Sequence, residues 1–275
     1  MLKIDRALCN KDGLCVRECP AFVIGMDEQS GYPVARGVAD KYSLEAYCIR
    51  CGHCVLICPT GALAHSCHPP DQHAAADMAL MPTAEQVEVL LKTRRSTRQF
   101  KKTPVPRQVI MRILEACNYA PTASNRQETR WIIVENLETK NKLSDLHDAW
   151  LLELLEADPE HEYARRILHR IREYGGDPVF RNTHYMAIAV MPRANEWPAD
   201  ADIALTYFEL FAHSLGLGVC LCGLLTRAIR EYRPLREALG ISEDEVAVGV
   251  QLFGYPLLKP YGDLPPRKPL DVTML

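Results

Sequence analysis

Two stretches decide the fold of the N-terminal part of the chain: "CNKDGLCVRECP" (residues 9–20) and "CIRCGHCVLICP" (residues 48–59). Shifted by 39 residues, the chain meets itself. Cys9 falls on Cys48, Cys15 on Cys54, Cys19 on Cys58 and Pro20 on Pro59. The second copy is a complete C-x2-C-x2-C-x3-C-P run. The first has the same frame with Asp12 standing where Cys51 stands. Internal comparison therefore makes position 12 a ligand position, although "KDG" is also ordinary turn chemistry.

The spacing has a physical reason. Three closely set thiolates wrap three corners of a cubane, and the more distant fourth ligates a second cluster. Paired C-x2-C can hold zinc instead, but a doubled run of this form favours iron–sulfur chemistry. The first quarter of the chain resembles bacterial two-cluster ferredoxins. On that resemblance Cys9, Asp12, Cys15 and Cys58 hold one [4Fe-4S] cluster, and Cys48, Cys51, Cys54 and Cys19 hold the other. An aspartate oxygen suits iron less well than thiolate. For the Asp12 site the order of preference is a four-iron cluster with an Asp12 ligand, then a three-iron [3Fe-4S] form, then no cluster. His53 is read as an exposed loop residue rather than a cluster-tuning one. His65, Cys67 and His68 ("HSCH") are read as linker rather than as a small metal site.

The bulk numbers agree with such a protein. The 275 residues suggest one or two domains, and 48% hydrophobic content supports a sizeable core. A net charge of −3 gives no reason to expect a nucleic-acid or membrane partner. No secretion signal opens the chain. The longest apolar run, "LGLGVCLCGLL" (215–225), is too short to span a bilayer. The expected location is cytoplasmic. There, eleven cysteines favour thiolate-bound metal over disulfides, and seven of them lie between Cys9 and Cys58.

Residues 1–68 are expected to form the ferredoxin domain, 69–82 a linker rich in Pro, Ala and Asp, and 83–275 a second domain. Thr83 and Gln86 form a capping-box pattern that opens a helix to about Thr93. A helix follows Pro106, with Ile110, Ile113, Leu114 and Cys117 on one face. "RWIIVEN" (130–136) and "YMAIAVMP" (185–192) read as buried strands. Residues 138–174 read as charged helix whose arginines form a solvated face, 201–215 as a helix stopped by Gly216, and 245–256 as the last strand. The order lacks a regular βαβ alternation, so the fold class is α+β rather than doubly wound.

Ferredoxin clusters pass single electrons, and a flavin can collect them and deliver a pair. No dinucleotide fingerprint and no P-loop is present, so side chains must help hold any phosphate. In "RRSTRQF" (94–100), Arg94, Ser96 and Arg98 alternate and offer guanidinium forks and a hydroxyl. The succession "RRSTRQF", "APTASNRQ" (120–127), "GLGVCLCGLL" and "GYPLLKPYGDLPPRKPL" (254–270) resembles the FMN-dependent nitroreductase family over about residues 84–275. The resemblance implies a mostly antiparallel central sheet flanked by helices. It also implies an FMN held by Arg94, Ser96 and Arg98 at the phosphate and ribityl chain, by Asn125 at the isoalloxazine ring or the ribityl chain with Gln127 nearby, by backbone around Cys222 and Gly223 at the flavin edge, and by Arg267 with Lys268 at the phosphate. The family forms intertwined homodimers. Here Gln127 is followed by Glu128 and Thr129, where the family often has Pro-Trp, and Trp131 comes later. Cys220 and Cys222 read as packing residues.

The resulting expectation is an FMN-dependent oxidoreductase that takes electrons from a low-potential donor such as a ferredoxin, through two clusters and FMN. Its acceptor is a small organic molecule of nitroaromatic, quinone or flavin type. Rival readings are a non-catalytic sensor, a flavin-fragmenting or dehalogenating enzyme, and a protein that stores electrons for another protein. No catalytic acid or base stands out. His184, Tyr185 and His213 are possible proton donors, but a structural role fits each better.

Overall fold

A computed structural model describes residues 2–36, 47–73, 75–260 and 262–275, with the side chain of Tyr174 left aside. Ala74, in the expected linker, and Tyr261, in the C-terminal string, lie outside the described residues. The chain divides into two compact units: Met1–Met81 with Thr122–Arg126, and Pro82–Pro121 with Gln127–Leu275.

The first unit carries the sequence repeat into its backbone. Helix α1 (Leu14–Glu18) and helix α2 (His53–Leu56) start 39 residues apart, as do strand β2 (Ile24–Met26) and strand β4 (Leu63–His65). Left-handed residues recur at the same interval: Lys11 with Arg50, Gly13 with Gly52, and Phe22 with Gly61. Gly13 and Gly52 cap the two short helices at φ 69° and 75°, a conformation that glycine adopts without a side-chain clash. Strand β1 (Leu2–Ile4) pairs antiparallel with β4, and β2 pairs antiparallel with β3 (Pro33–Ala35). Cys15, Cys19, Val23, Ile24 and Leu63 form the small core. "HSCH" is therefore not simply linker, because His65 is the last residue of β4, paired with Leu2 and only 4% exposed.

The second unit is built on a four-stranded antiparallel sheet in the order β5 (Arg130–Val134), β6 (Met186–Pro192), β8 (Glu245–Gly254), β7 (Gly218–Leu221). Strand β6 is buried on both faces, which explains its unbroken apolar sequence. Met186, Ile188 and Val190 face one core with Leu151, Ile167, Leu225 and Leu252. Ala187 faces a second core with Ile110, Ile113, Phe208 and Phe253. Helices α5 (Leu137–Ala157), α6 (Glu162–Tyr174), α8 (Gly223–Glu231) and α9 (Arg233–Ala238) contribute to the first core. Helices α4 (Arg107–Cys117) and α7 (Ala199–Ser214) contribute to the second. Helix α3 (Ala84–Thr93) opens on the expected capping box.

Three sequence readings need adjustment. "RWIIVEN" is a half-exposed edge strand, β5, rather than a buried one. The 138–174 region is two helices interrupted at Asp158 and Pro159, where proline denies the helix its next backbone donor. "GVCL", read only as part of an apolar run too short to span a bilayer, is a strand, β7.

One ion pair ties the sheet's far edge to its centre. Arg130 of β5 holds Glu245 of β8 with two parallel bonds, Nε to Oε1 at 2.8 Å and Nη2 to Oε2 at 2.8 Å. The fork geometry lowers the Glu245 pKa from 4.5 to about 2. A depressed carboxylate stabilises the fold above its unfolded pKa and loses that contribution as pH falls toward the folded value. Glu245→Gln should cost about 1 kcal/mol near neutral pH. That cost should shrink to nothing between pH 4.5 and about 2, read as converging thermal midpoints of variant and wild type.

Candidate functional sites

Two cavities in the first unit collect the motif residues. One is lined by Cys9, Asp12, Cys15 and Cys58, the other by Cys19, Cys48, Cys51 and Cys54. Each run thus keeps its first three positions at one cavity and sends its last cysteine to the other. No group of three His, Cys, Asp or Glu side chains is arranged to hold a metal ion among the described residues. Four thiols around one cavity, and three thiols with the harder Asp12 carboxylate around the other, are donor sets that fit a thiolate-bound cluster.

Local structure prepares these thiols differently. Burial, then the neighbouring Cys51, push Cys54 up to about 11, and burial raises Cys15. Burial alone would also raise Cys58. Hydrogen bonds from the Thr60 hydroxyl and from the backbone at Thr60, Ala62 and Leu63 outweigh it and lower that thiol. Bound metal ionises a coordinating thiol outright. Asp12 is exposed, and its Oδ1 accepts the Leu14 N–H at 3.0 Å, which is the turn chemistry read from "KDG". His53 is exposed and meets Glu18, Nδ1 to Oε1 at 2.9 Å.

The second unit brings "RRSTR" beside β7. Ser96 bridges to Val219 in parallel register, and the Thr97 N–H donates to the Val219 carbonyl at 2.8 Å. Gly218 permits this approach: a Cβ there would lie 2.3 Å from Thr97 Oγ1 and 2.6 Å from its Cβ. Burial raises the Cys220 thiol of β7, against lowering contributions from Arg98, Arg181 and the Ser96 hydroxyl. Arg98 also lines a cavity with Arg170, Arg181 and the Gly175–Gly176 turn. Arg170 is exposed, as the solvated helix face predicts, and also edges this cavity. Sequence reading missed Arg170 and Arg181 because neither stands near a motif. Arg94 points elsewhere, pairing with Glu209 at 2.8 Å.

The remaining predicted residues are dispersed. Asn125 belongs to the first unit, where its Nδ2 donates to the carbonyls of Ile49 and Arg50 at 3.2 and 3.0 Å. Ser124, Asn125 and Gln127 all have φ between 52° and 54°, a cluster of left-handed backbone that costs energy in non-glycine residues. Cys222 is buried, its thiol pushed up to about 11 by burial and donating to the Val179 carbonyl at 3.3 Å. Gly223 opens α8 beside open space. Arg267 and Lys268 are exposed on an irregular C-terminal segment and do not line the arginine cavity. Trp131 stacks on Phe208 at 5.8 Å and belongs to the core. Tyr185 OH accepts the Val105 N–H at 3.1 Å, and His213 Nε2 meets Thr93 Oγ1 at 3.2 Å. Burial lowers the pKa of His184 and of His213.

A small unit with doubled cysteine runs, and a second unit built on an antiparallel sheet covered by helices on both faces, define a two-part α+β protein of redox type. The profile described as the nitroreductase family matches residues 91–255, and the chain belongs to that family. The profile of a 4Fe-4S dicluster domain matches residues 8–63. A Methanothermobacter thermautotrophicus protein provisionally named NADH dehydrogenase/NAD(P)H nitroreductase is 26% identical over 196 residues, covering 69% of this chain and 88% of that protein. Iodotyrosine deiodinase 1 of Sus scrofa is 22% identical over 229 residues, covering 76% and 74%. The crystal structure of a Bacteroides fragilis nitroreductase with bound FMN superposes with a TM-score of 0.58 at 22% identity, covering 69% of this chain and 98% of that one, which supports the fold. No helix is long and apolar enough to cross a membrane among the described residues.

The Gly218–Thr97 contact gives a direct check. Gly218→Ala should cost about 1–3 kcal/mol through overpacking, seen as a lower thermal midpoint. Thr97→Gly in the same chain should recover part of that loss.

Proposed function

We propose that the chain is an iron–sulfur flavoprotein oxidoreductase. It accepts electrons from a low-potential donor such as a ferredoxin and reduces a small organic acceptor of nitroaromatic, quinone or flavin type. The observation that carries this reading is the pair of four-donor cavities with exchanged last cysteines, on a chain whose larger part is a nitroreductase-family domain. When bound, the clusters supply one-electron transfer and FMN converts single electrons into two-electron chemistry.

In this reading residues 1–68 are the ferredoxin domain, 69–82 the linker and 83–275 the flavin domain. Cys9, Asp12, Cys15 and Cys58 hold one cluster. Cys48, Cys51, Cys54 and Cys19 hold the other. Asp12 supplies a harder oxygen donor while its turn orders the start of α1, and a three-iron cluster is the form that results if that corner stays open. Ser96 and Arg98 bind the FMN phosphate and ribityl chain, supported by the cationic surroundings of Arg170 and Arg181. Arg94, paired with Glu209, would have to release that carboxylate to join them. Backbone at Cys222 and Gly223 lies against the ring, and Asn125, Gln127, Arg267 and Lys268 complete the set in a homodimer. Cys220 and Cys222 take no redox part, since both are buried and raised. The similarity to iodotyrosine deiodinase adds a halogenated aromatic to the acceptors worth screening.

The reading is tested by anaerobic stopped-flow reduction of the holoprotein. Reduced ferredoxin should bleach the cluster absorbance first and the flavin absorbance after it, and a screened acceptor should reverse both. Rapid turnover with NADPH while the clusters stay oxidised would refute the relay.

A further inference from the structure

His65 was read as linker, yet it is buried at the end of β4 and lines the cavity of Cys19, Cys48, Cys51 and Cys54. Its ring is fixed by two contacts. The backbone N–H of Cys67 donates to His65 Nδ1 at 3.1 Å, so Nδ1 is an acceptor. The single proton of the neutral ring then sits on Nε2, and Nε2 lies 3.6 Å from Cys48 Sγ. The backbone thus selects the tautomer, and the tautomer aims an N–H at a thiol sulfur.

The surroundings hold this arrangement in place. His68 pairs with His65 across a tight turn, its N–H on the His65 carbonyl at 2.8 Å. His68 Nε2 meets the Arg50 carbonyl at 2.8 Å, and a carbonyl can only accept, so His68 donates there. Asn125 donates to the same carbonyl at 3.0 Å. The Cys48–Cys51 loop is therefore gripped by three side-chain donors, of which His65 alone reaches a sulfur.

The 39-residue repeat supplies the contrast. Position 65 corresponds to position 26, which is Met26 at the end of β2. The methionine side chain carries no N–H, so the Cys9–Asp12–Cys15–Cys58 cavity has no equivalent side-chain donor at that position.

We propose that His65 is a positioning residue that donates an Nε2–H···Sγ hydrogen bond to the Cys48 thiolate, raising the reduction potential of the cluster in that cavity above the value it would have without the bond. Reduction adds one electron and negative charge to the cluster and its thiolates, and a hydrogen bond to sulfur stabilises that added charge. The electron comes from the low-potential donor, and the proton stays on Nε2 throughout. This inference rests on the cluster reading above.

The test is an EPR-monitored potentiometric measurement on anaerobically purified full-length protein, in wild type, His65→Leu and His65→Gln. In His65→Leu one cluster should move to lower potential. The reduced fraction ratio at fixed potential should fall about tenfold, about 59 mV for one electron, while the other cluster stays where it was. His65→Gln, which keeps an N–H, should move it less. Reduced wild type labelled with 15N-histidine should also show a weak nitrogen coupling in pulsed EPR, which decides the matter even if a variant fails to assemble its cluster. Unchanged potentials in His65→Leu, or no nitrogen coupling in wild type that carries a full iron count, would overturn the hydrogen bond alone. Wild type without iron and sulfide would overturn the cluster reading together with it.

Discussion

Everything in the first unit depends on the crossing of Cys19 and Cys58. Each ends one cysteine run and lies at the cavity of the other. Neither half can then close its cavity alone, so the two 39-residue copies must fold against each other. The matched helices, strands and left-handed residues are the backbone consequence. Among the described residues, the five-residue core cluster of this unit provides little apolar area to hold it together. In the proposed reading, ligands shared between the halves would supply the missing cross-links, since metal binding free energy is folding free energy in small domains.

The second unit meets a different constraint. Its sheet is covered by helices on both faces. Strand β6 provides the doubly buried centre, and the bare Cα of Gly218 lets the Ser96–Thr97 backbone dock on β7. Arginines from three separate stretches, around positions 98, 170 and 181, then meet at one cavity. That convergence creates a cationic hollow that no single motif encodes.

Much of this is legible in the sequence, for physical reasons. The 39-residue repeat is legible from the cysteine spacing, and the resemblance to two-cluster ferredoxins implies the grouping of donors around the two cavities. The capping box at Thr83 and the i, i+3, i+4, i+7 face of α4 depend only on local periodicity, and they appear where that periodicity puts them. The misses have a common cause in long-range structure. The edge position of β5, the strand character of β7 and the cationic neighbours of Arg98 are set by which segments pair across the sheet. His65 was missed because its role depends on the Cys67 amide and on Cys48, and three letters in a histidine-rich string carry no sign of either. Asn125 shows the reverse: a residue that fits a ring-contact position by motif order spends its amide on the Ile49 and Arg50 carbonyls.

The central claim is that one chain carries two clusters and a flavin. It is tested most directly by iron, acid-labile sulfide and flavin content of anaerobically purified protein. The account predicts about eight iron atoms, about eight sulfides and about one FMN per chain. About seven irons would mean that the Asp12 corner stays open, whereas zinc without flavin would contradict the account.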